Sequence, residues 1–244
     1  MKHLVISDIH GRHEILQTGL EKFAEGGYEK VVLLGDLADS YDRTNEDILR
    51  CFKLAFDAKE KYGDALEWLL GNHELSYMFP FQMCSGFRPE LAATLNPWMV
   101  ENRALFKAAY QHRNYLFTHA GVTKAWFKKY RETVYKFEEI TGSRKLADSL
   151  NAMLLTGEGV DKLCEIGMSR GGIRYDYGGP FWADREDHMR YGPVTGYNQV
   201  VGHTPCKFIE RIVKFEGRQH NNTSVTFCDV LRDGKEPKFL TLDI

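Results

Sequence analysis

The chain has no pair of cysteines at metal-ribbon spacing, no apolar run long enough to cross a membrane and no block of like charge. Its five cysteines, Cys51, Cys84, Cys164, Cys206 and Cys228, are odd in number and widely scattered. That pattern argues against a disulfide framework or a zinc ribbon and for a reducing cytosol. After Met1 and Lys2, the run His3-Leu4-Val5-Ile6 gives way at once to Ser7-Asp8, too short for the apolar region of a signal peptide. No stretch approaches the ~18 apolar residues of a membrane-spanning helix, so a soluble, cytoplasmic protein is expected. Lys and Arg number 32 against 34 Asp and Glu, a net charge of -2. The composition therefore offers no basic footprint for nucleic acid and no polybasic membrane patch, and neither partner is expected. Internal repeats, low-complexity tracts and linkers are absent too.

What is present is a core-forming chain of 244 residues, 43% hydrophobic and 13% aromatic. Strands are predicted at Leu4–Ile6, Val31–Leu34 and Leu66–Leu70, with helices between them. Ile15, Leu16, Leu20 and Phe23 recur at helical spacing before the Gly26-Gly27 stop. Thr44 is placed to cap a helix carrying Ile48, Leu49, Phe52, Ala55 and Phe56. Residues 76–113, with Pro80, Pro89 and Pro97, read as an excursion of helices and loops. A strand returns at Tyr115–Thr118, residues 123–169 read mostly as helix, and 170–180 are glycine-rich. Strands at Gln199–Val201, Phe208–Val213, Ser224–Val230 and Phe239–Leu242 close the chain. Strands alternating with helices predict crossover units around a sheet. One domain over 1–244 is expected, with helical insertions at about 76–113 and 123–169.

Five short motifs each follow a predicted strand. They are Asp8-Ile9-His10-Gly11, Gly35-Asp36-Leu37-Ala38-Asp39, Gly71-Asn72-His73-Glu74, His119-Ala120-Gly121 and Gly202-His203-Thr204. Residues beyond the carboxyl ends of strands gather on one rim of a sheet-based fold, where sites form. Asp, Asn and imidazole suit manganese, iron, zinc or magnesium. Any one motif alone is ordinary turn chemistry; five in this order are not.

The set resembles the calcineurin-like metallophosphoesterases, and Gly71-Asn72-His73-Glu74 resembles their phosphoprotein phosphatase branch, where Glu follows the His and many other branches carry Asp. The resemblance implies an α/β sandwich of two mixed β-sheets flanked by helices. It implies two divalent ions, manganese foremost: Asp8, His10 and Asp36 on one, and Asp36, Asn72, His119 and His203 on the other. In such a site a bridging hydroxide attacks phosphorus in line. His73 would protonate the leaving oxygen as general acid, with Asp39 holding its other ring nitrogen.

Two departures from the resembled pattern matter. The second motif of the relatives continues Asp-Arg-Gly, whereas this chain reads Asp39-Ser40-Tyr41, with Arg43 only later. Arg185, in Gly179-Pro180-Phe181-Trp182-Ala183-Asp184-Arg185, and Arg170, in Arg170-Gly171-Gly172, lie in segments like those of bacterial and Shewanella-like members. All three are candidates for the phosphate clamp, a task suited to a guanidinium; a surface ion pair would account equally well for Arg170 or Arg185. Nucleases and cyclic-nucleotide diesterases of the superfamily usually end in Gly-His-x-His, but here the sequence is Gly202-His203-Thr204-Pro205, as in the phosphoprotein phosphatases.

His3, His13, His112, His188 and His220 lie outside the motifs and read as surface or packing residues. Trp68, Trp98 and Trp126 read as core, while Trp182 is placed to pack and to position Arg185. The expected substrate is a phosphorylated protein, phosphoserine or phosphothreonine ahead of phosphotyrosine, or a small phosphorylated molecule. A dinucleoside polyphosphate is the rival, since His119-Ala120-Gly121 also resembles diadenosine tetraphosphate hydrolases. A non-catalytic scaffold ranks last, because all six ligand positions and His73 are retained.

Overall fold

Three short apolar runs near the N-terminus become the parallel centre of a sheet. The computed structural model describes residues 1–79, 82–215, 218–219, 221–230 and 237–244; Pro80 and His220 lie outside the described residues. The chain forms two compact units, residues 1–106 with 230–244, and residues 107–229.

The first unit runs β1 (Lys2–Ile6), α1 (His13–Ala24), β2 (Lys30–Leu33), α2 (Asn45–Tyr62), β3 (Leu66–Leu69), α3 (Asn72–Met78), α4 (Pro89–Glu101) and β4 (Phe106–Lys107), and closes with β12 (Leu240–Asp243). Its sheet has the order β12-β1-β2-β3-β4. β1, β2 and β3 are parallel, with Leu4 opposite Val31 and Val31 opposite Leu66, and β12 pairs antiparallel with β1. Leu4, Val5, Ile6, Val31, Val32 and Leu33 are buried on both faces of the pleat, as parallel strands covered by helices must be. α1 stops where Gly26 and Gly27 take positive φ. α2 starts at Thr44, whose Oγ accepts the Asp47 N–H while the Asp47 carboxylate accepts the Thr44 N–H, a reciprocal cap. Trp68 sits at the centre of an aromatic cluster with Phe52, Trp98 and Phe106; Trp68 is a core residue as expected, while Trp98 is half-buried.

The second unit holds β5 (Ala109–His112), β6 (Tyr115–Thr118), α5 (Lys124–Thr141), α6 (Leu146–Leu154), α7 (Gly157–Leu163), α8 (Arg185–Tyr191), β7 (Asn198–Val201), β8 (Glu210–Ile212), β9 (Lys214–Phe215), β10 (Arg218–Gln219) and β11 (Ser224–Phe227). Its main sheet, β5-β6-β7-β11-β8, is also mixed: β6, β7 and β11 are parallel, and the two edge strands antiparallel. α6 is tied to β5 through Asn151, whose amide accepts from the Ala108 and Ala109 N–H groups and donates to the Ala109 carbonyl. Val201, Phe215, Val225 and Phe227 form a buried cluster, and Trp126 is fully buried. Both sheets and their helices thus match the expected α/β class.

Three expectations need correction. The excursion at 76–113 contains two strands as well as helices, β4 and β5. β5 forms a hairpin with β6 through Arg113, which adopts φ 52 without being glycine, so the usual turn signal is missing. The short helix α8, just beyond the glycine-rich stretch 170–180, is not among the expected elements. Its start is set by Asp184, whose carboxylate accepts the Glu186 N–H. The last strands are shorter than their apolar runs suggest, ending at Ile212 and Phe227 rather than Val213 and Val230.

At the carboxyl ends of β2 and β3 the two chains nearly touch. A Cβ on Gly35, which has φ +96, would lie 2.2 Å from the Gly71 nitrogen, and one on Gly71 would lie 2.0 Å from Asp36 Oδ1. Gly35→Ala therefore combines a positive-φ penalty with a backbone clash and is expected to cost about 3 kcal/mol or more. Gly26→Ala, at φ +97 with nothing near its Cβ, should cost only about 1 kcal/mol. Urea unfolding of both variants checks this; equal losses would mean that φ alone decides.

Candidate active site

In the first unit, Asp8, Asp36 and Asn72 come two or three residues after the ends of β1, β2 and β3. Because those strands run parallel, all three emerge on one rim. Asp8, His10, Asp36 and Asn72 are all buried. The Ser7 hydroxyl donates to Asp8 Oδ2. His10 Nδ1 faces the carbonyls of Ala38 and Asp39, each at 3.0 Å. Facing only acceptors, Nδ1 must carry the hydrogen, which leaves a lone pair on Nε2. That Nε2 is buried with no hydrogen-bond partner among the described residues, 3.6 Å from Asp36 Oδ2. A buried lone pair beside a buried carboxylate is unfavourable alone and suited to a cation between them. The donor set thus fits a divalent metal.

His73 is the second residue of α3. Its backbone N–H donates to Asp36 Oδ1 at 3.1 Å, its Nδ1 lies 3.0 Å from Asp39 Oδ2, and its Nε2 lies 4.0 Å from Asp36 Oδ2. The ring stands edge-on to His10, with centroids 4.9 Å apart. Burial works against a charge on His73, but the Asp36 charge and the Asp39 hydrogen bond prevail and hold it well above the ordinary imidazole range. That shift favours the protonated ring, the form able to release a proton. His10, Asp36 and His73 also offer ligand atoms within 4.8 Å of one another, so geometry alone allows His73 to be a ligand or an acid.

Several residues that build this half were not legible as functional. Glu74, fully buried, accepts the N–H groups of Asp36, Ala38 and Gly71, each at 2.7 Å. Burial and the Asp36 charge push its carboxyl up to about 7, against those three donors. The Tyr77 hydroxyl donates to Asp39 Oδ1 and accepts the Arg88 N–H. Arg88 holds the loop after Asp39 through the carbonyls of Ser40 and Arg43 and the Asn45 side chain. Cys84 Sγ lies 3.4 Å from His73 Nδ1. Tyr77 falls one helical turn after His73, a spacing that could have flagged it; Cys84 and Arg88 carry no such signal.

In the second unit, His119 follows β6 and His203 follows β7, two parallel neighbours. Both are buried, and His119 Nε2 faces His203 Nδ1 at 3.1 Å. The Trp182 ring meets His203 edge-on at 5.7 Å. His188, on α8, donates from Nε2 to the Ala120 carbonyl at 3.0 Å. Burial lowers its pKa, so it is a neutral packing residue, and its ring is why the residue after Ala120 is glycine: a Cβ on Gly121 would lie 2.4 Å from it.

The three candidate arginines are all in ion pairs. Arg43 meets Glu14 at 2.6 Å in the first unit. In the second, Arg185 grips both oxygens of Glu210, at 2.8 and 3.1 Å, and Arg170 meets Asp184 at 2.6 Å. Arg170 also donates to the His203 carbonyl and the Thr204 hydroxyl, each at 3.0 Å, which steadies the last motif.

Residues 1–207 match the family described as calcineurin-like phosphoesterase. No curated protein matches the sequence at a significant level. Among solved structures, the chain is similar to a cold-active protein-tyrosine phosphatase of a psychrophilic Shewanella species, at 16% identity and TM-score 0.54, over 99% of this chain and 75% of that one. It is also similar to a protein serine/threonine phosphatase from Saccharomyces cerevisiae, at 16% identity and TM-score 0.50, over 94% and 69%. At such identity the likeness is one of fold.

Glu74→Gln would turn an NH₂ group toward backbone donors and leave at least one of them unpaired. The expected loss is about 1–3 kcal/mol of stability, read by thermal unfolding of the metal-free protein; an unchanged midpoint would remove Glu74 as the tie between the loops.

Proposed function

The chain belongs to the calcineurin-like phosphoesterases, hydrolases of phosphoric esters, and on that basis we propose that it removes phosphate from phosphoserine or phosphothreonine in proteins. By the family resemblance, Asp8, His10 and Asp36 would hold one divalent ion, and Asp36, Asn72, His119 and His203 a second. Manganese leads, with iron, zinc or magnesium as substitutes. Two such ions, when bound, activate water and neutralise phosphate oxygens. His73 gives a proton from Nε2 to the departing serine or threonine oxygen, and Asp39 keeps the ring oriented through Nδ1. The observation that carries this reading is His73 held between Asp39 and Asp36, because an alkoxide leaving group needs an acid so placed.

The substrate class draws support from Glu74 in the third motif and from Pro205 where a second metal-binding His would stand in diesterases. The similar solved structures are named for protein-tyrosine and protein serine/threonine phosphatases, both phosphoprotein enzymes. Arg185 is the favoured phosphate clamp, with Glu210 giving it up to substrate; Arg185→Ala should lower kcat/KM more than Arg43→Ala, and the reverse order would move that role to Arg43. The five thiols suit a reducing cytosol, and the near-neutral charge balance suits neither nucleic acid nor a membrane as partner.

A panel of phosphopeptides, phosphosugars and dinucleoside polyphosphates assayed with manganese tests the substrate class. Phosphopeptides should be turned over fastest, chelation should abolish the activity, and manganese should restore it better than calcium, which wants more oxygen ligands. Preference for a dinucleoside polyphosphate would replace the proposal with the rival activity. His73→Asn separates acid from ligand: it should cut turnover of phosphoserine peptides by about 10²–10⁴-fold while sparing para-nitrophenyl phosphate, whose phenolate leaves unaided. Metal content measured on the same protein should be unchanged; a lost ion would make His73 a ligand instead.

A further inference from the structure

Beside the proposed acid and its orienting aspartate lies a thiol, Cys84, that phosphoryl transfer does not use. His73 Nδ1 is 3.0 Å from Asp39 Oδ2 and 3.4 Å from Cys84 Sγ, and all three ligand atoms lie within 4.8 Å of one another. A tetrahedral zinc ion bound at about 2.0 Å by nitrogen and oxygen and about 2.3 Å by sulfur needs N···O and N···S edges of about 3.3 and 3.5 Å. The side chains thus stand within a few tenths of an ångström of two of the three edges, on this one compact unit.

The donors are held in place from behind. Asp39 Oδ1 is taken by the Tyr77 hydroxyl, so Oδ2 is the oxygen turned to the ring. The Ser76 hydroxyl accepts the Cys84 N–H at 3.1 Å and donates to the Gln82 carbonyl at 2.9 Å, fixing the cysteine loop on α3. Gly86, with φ +87, lets that loop approach Asp39, where a Cβ would stand 3.3 Å from the aspartate's own Cβ. Ligands preset in this way lose little freedom on binding an ion.

We infer that Asp39, His73 and Cys84 form a sulfur-containing site for zinc, separate from the two phosphatase metals, and that zinc bound there switches the enzyme off. The inhibitory half of this inference rests on the reading of His73 as general acid; the binding half does not. Zinc would displace the Cys84 thiol proton and the proton on Nδ1, and occupy the lone pair so exposed. Asp39 is drawn to the ion at the same time and no longer orients the ring for transfer. The thiolate makes the site prefer zinc to manganese, a metal of oxygen and nitrogen donors.

Cobalt(II) reports the sulfur directly, since only a thiolate gives an intense near-ultraviolet charge-transfer band, and the proposed phosphatase ligands offer only oxygen and nitrogen. Manganese-loaded protein titrated with cobalt should develop that band to one equivalent, zinc should erase it, and Cys84→Ser and Cys84→Ala should lack it. With manganese in excess, zinc should inhibit phosphoserine-peptide turnover at a concentration at least about 10-fold lower in the unmodified protein than in either variant, since a lost ligand costs no less than a lost ligand-orienting partner. Each protein is compared with its own zinc-free rate, and circular dichroism verifies that the variants fold. A band that survives both substitutions, or none at all, overturns the site. Equal zinc sensitivity with the band intact in the unmodified protein overturns the inhibition. If no phosphate ester is hydrolysed, the proposed function fails, while the cobalt band still decides the site.

Discussion

The carboxylate of Glu74 accepts three backbone N–H groups, two from the loop after β2 and one from the start of α3, and the first half of the site hangs on those bonds. They fix Asp36 and Ala38 relative to Gly71, and hence relative to Asn72 and His73. Glutamate, one methylene longer than aspartate, has the length to reach back from α3 to both loops. The same convergence explains the paired glycines: with the loops held this closely, no side chain fits at 35 or 71. A charge buried this deeply would be costly if unpaired, and three donors aimed at it offset that cost.

A second constraint is local strain. Among the described non-glycine residues with positive φ are His10, Asp36, Asp39 and His203, all of them motif residues. A backbone so placed costs about 1–3 kcal/mol per residue, and it persists because packed strands on one side and hydrogen bonds on the other leave no alternative. The gain is directional. At each strand end the chain turns sharply enough to aim a ligand back over the rim instead of away with the next loop. Strain coincides with the candidate ligands His10, Asp36 and His203 because the turn is what presents their donor atoms.

The pattern of the sequence was legible where local and global signals agree. β1, β2, β3, β6 and β7 each carry an apolar stretch followed by a polar motif, so their positions and the residues beyond them could be read directly. Thr44 announced α2 through its own cap. β5 hid because its turn at Arg113 lacks a glycine, and α8 because it is a short helix that starts where the segment 179–185 was read for its Trp and Arg. What sequence could not convey were the supports. Tyr77, Arg88 and His188 act through contacts fixed by folding, and Glu74 stood inside a motif whose pattern gave no hint that it bonds to another loop. The arginines are the instructive case: Arg43, Arg170 and Arg185 were chosen for phosphate, and each is found with a carboxylate partner, an arrangement that type and spacing alone do not distinguish.

The pairing of β12 with β1 has a consequence for the order of assembly. β1 carries the chain into Asp8 and His10, yet one of its two edges is covered by residues 240–243, a strand made long after it. Until then β1 presents an open row of backbone donors and acceptors to the crowded surroundings of a nascent chain, the condition under which strands pair with the wrong neighbour. Lys2 at its start sets a positive charge on the waiting strand. The strand that leads into Asp8 and His10 is therefore enclosed only when a distant segment of the chain arrives.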